Sequence, residues 1–509
     1  MFVRKNRNRS GSVSVQIVEK SRGKYHVVRT LGSSRDPDEV VRLVRAARTI
    51  ITRPPEGQTK LFPIRTSDAL AVETFVRSIT NAQVRTIGPE YIFGTIFDRI
   101  GFHVIPDRLF RHLVIARLAY PTSKRKTIDY LQRYRGITMS VDALYRSLDR
   151  LHDRYKETVE RIAYDFTKRT VGTITVVFYD LTTLYFEAED EDDLRKVGFS
   201  KDGKFQHPQI MLGLLVGPQG FPIGYDLFAG NTFEGKTLIP ILAQMQRKYA
   251  LGKPIVVADA GLLSKENLAA LAGNGYQFII GARIKNESQA VRADLLVRGR
   301  SLKESDHIEL TRADGTRLIV TYTEQRARKD AHNRERGLRK LRQRVGSGRL
   351  TKRHINDRGY NKFLTLTGDI AVTIDETKVE ADRWWDGLKG YATNTTLRPD
   401  TIVEHYGHLW QIERAFRISK TDLRIRPIFH YRQRRIEAHV CIAFVAYTIY
   451  KETERLLQVH GIAMSATRAA ELTQTMYELE YTLPGEAEHQ RTMLQLDDEQ
   501  RLLATAIYG

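Results

Sequence analysis

Three carboxylates stand where an acid is out of place unless it has chemistry to do. Asp180 follows the β-branched run "GTITVVFY", Asp259 follows "KPIVVA", and Glu413 lies within "YGHLWQIERAFRISK". Each aspartate closes a strand-like run, and strand ends in an open α/β sheet face the crevice where ligands bind. Taken singly, either aspartate could be a turn former. Glu413 is different. At helical spacing Tyr406, Leu409, Glu413, Phe416 and Lys420 share one stripe, so its carboxylate is expected on the face that meets the core. An unpaired carboxylate buried there is strongly unfavourable.

Carboxylates that converge repel one another unless cations sit between them. Hard oxygen donors suit Mg2+ or Mn2+. Two such ions about 3.5–4 Å apart clamp the attacking and leaving oxygens of a phosphodiester displacement. The chain carries a net charge of +21, which suits a polyanionic partner. Arg417 and Lys420, one and two turns beyond Glu413, are placed to hold an entering DNA strand.

For the three acids to meet, their elements must pack together. After Val171 the sequence predicts three strands, a helix, a strand, a helix and a strand: a mixed α/β sheet whose first three strands form a meander. The first and fourth strands, bearing Asp180 and Asp259, can lie side by side. "LRPDTIVEHYGHLWQIERAFRISK" is expected to be one helix through Glu413, with Thr401 and Glu404 as its capping box. Between the two halves, residues 285–395 read as a β-rich insertion with a basic arm, Arg326 to Arg358, that is either a DNA-backbone contact or a solvated loop. Asp226 in "GYDLF" is a rival to Asp180. Asn231 and Glu234 fit a supporting role or plain turn chemistry equally well.

Upstream, residues 1–55 read as a β-hairpin and helix, ended by the Pro54–Pro55 break. Residues 56–170 read as a helical DNA-binding region. Within it "SKRKTIDYLQRYRGITMSVDALYRSLDRL" has the spacing of a helix-turn-helix, with Ser140 as N-cap of the second helix. The core is expected over 171–284 and 396–440, and C-terminal helices over 441–509. The lone cysteine, Cys441, excludes a disulfide framework or a cysteine zinc site within one chain. The longest apolar run, "VCIAFVAYTIY", falls short of the roughly 20 residues that span a bilayer. No apolar stretch follows the basic N-terminus, so no secretory signal is expected. These features point to an intracellular protein.

The three acidic segments resemble the catalytic motifs of insertion-sequence DDE transposases: "VVFYDLTTLYFE", "PIVVADAGLLS" and "YGHLWQIERAFRISK". The third is similar to the Y-x-x-R-x-x-x-E-x-x-x-x-x-x-K motif of the IS-four branch, with Tyr406, Glu413 and Lys420 in register and Leu409 in the arginine slot. His408 or Arg414 could supply that missing cation. Thr182 and Thr183 after Asp180 favour it over Asp226. The resemblance implies an RNase H-like core interrupted by a β-rich insertion. It implies Asp180, Asp259 and Glu413 as catalytic metal ligands for two Mg2+ or Mn2+ ions. It implies DNA contacts from Tyr406, Arg414, Arg417 and Lys420, and makes Trp384 and Trp385 candidates for base stacking, against ordinary core packing. The expected activity is hydrolysis at terminal inverted repeats and joining of the 3′-OH to target DNA, by a homodimer acting on double-stranded DNA in the bacterial cytoplasm. A nuclease without strand transfer and a non-catalytic DNA-binding descendant are the alternatives.

Overall fold

The computed structural model describes residues 1–21, 23–52, 67–187, 190–198, 203, 206–262, 264–348, 350–356, 359–367, 371–483 and 488–509. The chain divides into two compact units, the smaller formed mainly by Met1–Thr80. In that unit β1 (Phe2–Arg7), β2 (Val13–Ser21) and β3 (Lys24–Ser34) form an antiparallel sheet in the order β1-β2-β3. The expected hairpin is thus joined by a third strand, made from the basic N-terminal residues. Alternation in "SVSVQI" turns Val15 and Ile17 inward, where α1 (Pro37–Thr52) covers them with Val40 and Ala47. A second helix, α2, spans Ser67–Ser78. The Pro54–Pro55 break lies outside the described residues.

The larger unit opens with β4 (Val84–Thr86) and the helices α3 (Thr95–Ile100), α4 (Arg108–Ala119), α5 (Lys124–Arg135), α6 (Val141–Arg150) and α7 (Lys156–Val171). Helices α5 and α6, joined by a short turn, occupy the span expected for the helix-turn-helix. Gly136 at φ 65° ends α5, a left-handed position that suits glycine, and the Ser140 hydroxyl accepts from the Ala143 amide at 3.1 Å to start α6.

The predicted α/β order follows: β5 (Val176–Tyr185), β6 (Gln209–Val216), β7 (Pro222–Ala229), α8 (Leu238–Tyr249), β8 (Ile255–Ala258), α9 (Lys265–Gly273) and β9 (Phe278–Ala282). Strands β5 to β7 form the meander, and β8 lies parallel to β5. Both faces are covered, which explains the near-continuous apolar runs. Val177, Tyr179, Ala258 and Ile280 face the side packed by α8 and α9. Val176, Phe178, Val257 and Ile279 face the larger core.

The segment expected as a separate β-rich module extends this same sheet. After α10 (Gln289–Gly299) come β10 (His307–Thr311) and β11 (Arg317–Tyr322). The basic stretch is largely a helix, α11 (Glu324–Gly346), not a loop. Its glycines, Gly337 and Gly346, fall in its second half, and its Leu338 and Leu341 are buried against β12 (Leu364–Thr367) and β13 (Ala371–Ile374). Arg358, at the end of that stretch, lies outside the described residues. After α12 (Glu376–Arg383), β14 (Leu388–Thr393) returns to pair with β9. The full sheet has eight strands in the order β10-β11-β14-β9-β8-β5-β6-β7, and of the segment's described strands only β12 and β13 stand apart, as a hairpin.

The third segment is two helices, not one: α13 (Pro399–Gly407) and α14 (Trp410–Arg417), broken at His408 and Leu409. Gly407 at the end of α13 weakens the helix there. Pro399 occupies the first turn, so the helix begins before Thr401 and the expected capping box does not form. The 27-residue α15 (Gln433–Val459) is buried nearly all round, packed by α4, α6 and α7. Helix α16 (Ala466–Thr473), strands β15 (Tyr477–Tyr481) and β16 (Gln490–Met493), and α17 (Asp498–Tyr508) complete the chain, with β15 pairing with β4. Among the described residues no helix is long and apolar enough to cross a membrane.

Candidate active site

Strand register brings the two aspartates together. Tyr179 of β5 pairs with Ala258 of β8, so Asp180 and Asp259 are the residues that follow directly on two neighbouring parallel strands. Alternation turns both toward the larger core's face, the face of Phe178 and Val257. Asp180 does not end its strand as expected. β5 runs on through Leu181–Tyr185, which pair with β6; what ends at Asp180 is the pairing with β8. Asp226 sits two strands away, with Lys156, Lys248 and Glu160 as charged neighbours, and burial pushes its carboxyl up.

The row continues across the sheet. Ala258 pairs with Ile280 and Gly281 with Tyr391, which puts Asp180, Asp259, Gly281 and Tyr391 side by side on four strands. Gly281 leaves room for Tyr406, carried by α13, which packs on β8 and β9. A Cβ at position 281 would lie 2.5 Å from the Tyr406 hydroxyl oxygen. That hydroxyl donates to Asp259 Oδ1 at 3.3 Å. Burial, reinforced by Asp259, pushes the Tyr406 hydroxyl up, so it stays a donor.

Glu413 lies on α14, which packs over β5 and β6 through Ile412, Ala415 and Phe416. Contrary to the stripe read from helical spacing, Glu413 is exposed. The break at His408 and Leu409 shifts the phase of α14 relative to Tyr406, so the carboxylate borders the core face and stays open to solvent. Asp259 is likewise exposed and Asp180 half-buried.

One site residue was missed from the sequence. Lys389, two residues before Tyr391 and so on the same face, is a half-buried cation that feels both Asp259 and Glu413. Its ammonium stands 4.3 Å from the centroid of the Tyr406 ring and 5.4 Å from that of Tyr391. Burial pushes Lys389 down, as does Arg326, while the two carboxylates pull it back up. The signal was the alternation in "LKGYAT", overlooked because residues 285–395 were read as an insertion. Asn394 pins that strand. Its side chain accepts from the Phe278 amide at 2.9 Å and donates to the Tyr276 carbonyl at 3.0 Å.

Other expected residues are placed elsewhere. Arg414 forms an ion pair with Glu454 of α15. With the exposed Arg417 and with His408 it lines a cavity of about 850 Å³ between α14 and α15, not the aspartate row. Leu409 is buried in the core. Lys420 is half-buried in the turn Ile418–Asp422. Trp384 is exposed, with the Arg300 guanidinium 3.9 Å from its ring centroid. Trp385 packs beside Ile284 and Leu388 and lines a cavity of about 600 Å³ shared with Lys389 and Arg326. Glu234 lies on the loop of the short turn Glu234–Lys236, near Gly261, and lines a cavity with Asn231.

The donor set is chemically suited to a hard divalent cation: carboxylate oxygens on a rigid sheet, a third on the helix above, and access for water. Among the described residues no three His, Cys, Asp or Glu side chains are drawn close enough to enclose one.

The profile of the transposase DDE domain family matches residues 172–449, more than half of the chain. No curated protein matches. Among solved structures the chain is similar to piggyBac transposase in a synaptic complex with hairpin DNA, at 9% identity over 76% of each chain, TM-score 0.38. It is also similar to the Drosophila P element transposase strand transfer complex, at 12% identity over 80% of this chain and 90% of that one, TM-score 0.21. A third is the Mos1 transposase paired-end complex with left transposon end, at 13% identity over 48% of this chain and 68% of that one, TM-score 0.16. The matched span begins just before β5 and ends within α15, so it takes in both aspartates, the returning strand β14 and Glu413, and by that span the chain belongs to the transposase DDE domain family.

Proposed function

We propose that this chain cuts DNA at the terminal inverted repeats of an insertion sequence of the IS-four branch and joins the freed 3′-OH to target DNA. The observation that carries the proposal is the adjacency of Asp180 and Asp259 on parallel strands, with the Glu413 helix packed over the same sheet. The core is read as RNase H-like: a three-strand meander with two further strands parallel to the first.

Asp180, Asp259 and Glu413 would hold Mg2+ or Mn2+, which supplies charge neutralisation at the scissile phosphate and an activated water. The chain's own residues do the rest. Tyr406 fixes the Asp259 carboxylate by donating to Oδ1. Lys389 offers a positive charge beside Asp259 and Glu413, where the motif's arginine is replaced by Leu409. Lys420, Arg417 and Arg414 are proposed to contact the DNA backbone. Engagement of Arg414 then competes with its pairing to Glu454. Exposed Trp384 is the better of the two tryptophans for stacking an unpaired base. Two DNA ends must be processed together, which favours a homodimer.

The test is metal-dependent nicking of a duplex carrying the element's end, for wild type and Glu413→Gln. Nicks at the repeat boundary that vanish in the variant, with DNA binding retained, are the expected result. Joining of the 3′-OH to a second duplex separates a transposase from a nuclease that only hydrolyses. Binding without nicking in wild type sinks the enzymatic reading.

A further inference from the structure

Away from the aspartate row, a cavity of about 370 Å³ lies under the N-terminus of α5 and is lined by Arg117, Lys124, Arg424, Arg426, His430 and His439. Two of these are side chains more than nine-tenths buried, and one of them, His439, turns an unpartnered buried nitrogen to that space. Lys124 is 6% exposed, and among the described residues no hydrogen bond or ion pair holds its ammonium. His439 is 5% exposed; its Nε2 donates to the Ile425 carbonyl at 2.8 Å, and its Nδ1 has no partner among the described residues. A lysine enclosed to this degree with no counter-charge is unfavourable.

The surroundings deepen the deficit. The charged groups that act on Lys124, His430 and His439 are all cationic: Arg117, Arg435, and one another. Burial, with these neighbours, pushes Lys124 and His439 well down and His430 to about 3. Helix α5 starts with Lys124, Arg125 and Lys126 and has no acid in its first turn, so three cations crowd its positive end. Arg117 is spent on the carbonyls of Leu423 and Arg424, at 3.3 and 3.2 Å. These features suit an anion.

We infer that this cavity seats a backbone phosphate of duplex DNA, held by Lys124, His439 and Arg426 at the N-terminus of α5. The anion would let the His439 imidazole carry a proton on both nitrogens, Nδ1 then donating to it. The location fits duplex DNA. α5 is the first helix of the helix-turn-helix, the element that in such motifs crosses the backbone. The cavity is tied to the far end of β5: Ile428 donates its amide to the Tyr185 carbonyl at 3.2 Å, and the Arg426 guanidinium stands 5.7 Å from the Tyr185 ring centroid. Tyr185 is five residues beyond Asp180, about 16 Å along the strand. That distance is about five base-pair steps of duplex rise. Asp180 and the ring that faces the Arg426 guanidinium thus belong to one strand. The choice of DNA over a free phosphate rests on the proposed function.

The experiment uses the full chain as wild type, Lys124→Met and Arg426→Gln, the last a partly exposed position that guards against loss of fold in the first. Thermal unfolding is followed with inorganic phosphate against chloride at constant ionic strength. A short generic duplex is then titrated across salt concentrations. Phosphate should raise the wild-type midpoint and leave Lys124→Met unmoved. In either variant the salt slope of duplex binding should fall by about 0.9, an affinity change about 3.5-fold shallower for a fourfold rise in salt. No phosphate effect in wild type overturns the site. A phosphate effect through Lys124 with an unchanged duplex slope overturns the DNA assignment and leaves a seat for free phosphate. Neither result depends on nicking, so loss of the transposase reading would show separately, in the Glu413→Gln comparison.

Discussion

Alanine at position 281 would put a methyl group where the Tyr406 hydroxyl now lies. Its Cβ would meet that oxygen at 2.5 Å, the ring ζ carbon at 3.2 Å and the Ala260 amide nitrogen at 3.3 Å. Non-bonded atoms settle about 3.5 Å apart, so the hydroxyl must retreat by roughly 1 Å. Its bond to Asp259 is already 3.3 Å long and would be lost. Overpacking of this kind costs about 1–3 kcal/mol of stability. A misplacement near 1 Å in a catalytic site costs up to about 100-fold in rate. We expect Gly281→Ala to reduce metal-dependent nicking by roughly 10- to 100-fold while duplex binding holds. Tyr406→Phe removes the oxygen that the methyl strikes. In a double-mutant cycle the two changes should therefore be strongly non-additive, with Gly281→Ala nearly silent once Tyr406→Phe is in place. Wild-type nicking in Gly281→Ala, or a full additive loss in the double variant, would refute this account of how Asp259 is held.

Asn394→Ala leaves the Phe278 amide and Tyr276 carbonyl without their partner, so it should lower unfolding free energy by about 1–3 kcal/mol in denaturant titrations. It should also reduce nicking, because β14 carries Lys389. Arg414→Ala breaks a partly exposed ion pair, and its effect on stability should stay within about 1 kcal/mol, read by thermal unfolding. His430 is held near 3, below its ordinary value of 6.5, so the unfolded chain takes up a proton that the folded chain refuses. Stability is therefore intact above pH 6.5 and falls as pH drops toward 3, by at most about 1.4 kcal/mol per pH unit for that histidine. In phosphate-free buffer, His430→Gln should flatten the acid limb of the midpoint-against-pH curve.

Much of the α/β order was legible because it is written in local pattern. The apolar runs around Asp180 and Asp259, the helices between them and the turn at Gly136 are decided by neighbours in sequence. What escaped was decided by partners far away. "LKGYAT" has the alternation of a strand, but nothing within it says that β9, more than a hundred residues earlier, will take it up. The basic stretch from Arg326 looked like an arm because charge masks helical spacing. Its buried leucines face a hairpin contributed later by the chain. Glu413 was placed on an inner stripe by counting through Gly407, and one break in the helix was enough to change its exposure.

Helix α15 gives the chain an order of assembly. It is the shared partner of α4, α6 and α7, which leave the ribosome some three hundred residues before it. Until α15 emerges, those helices have the apolar faces that it will cover still open. A nascent chain is therefore long exposed to chaperones and slow to fold, as its distant contacts require. The sheet that carries Asp180 and Asp259 is therefore completed against its larger core only after α15 has been made.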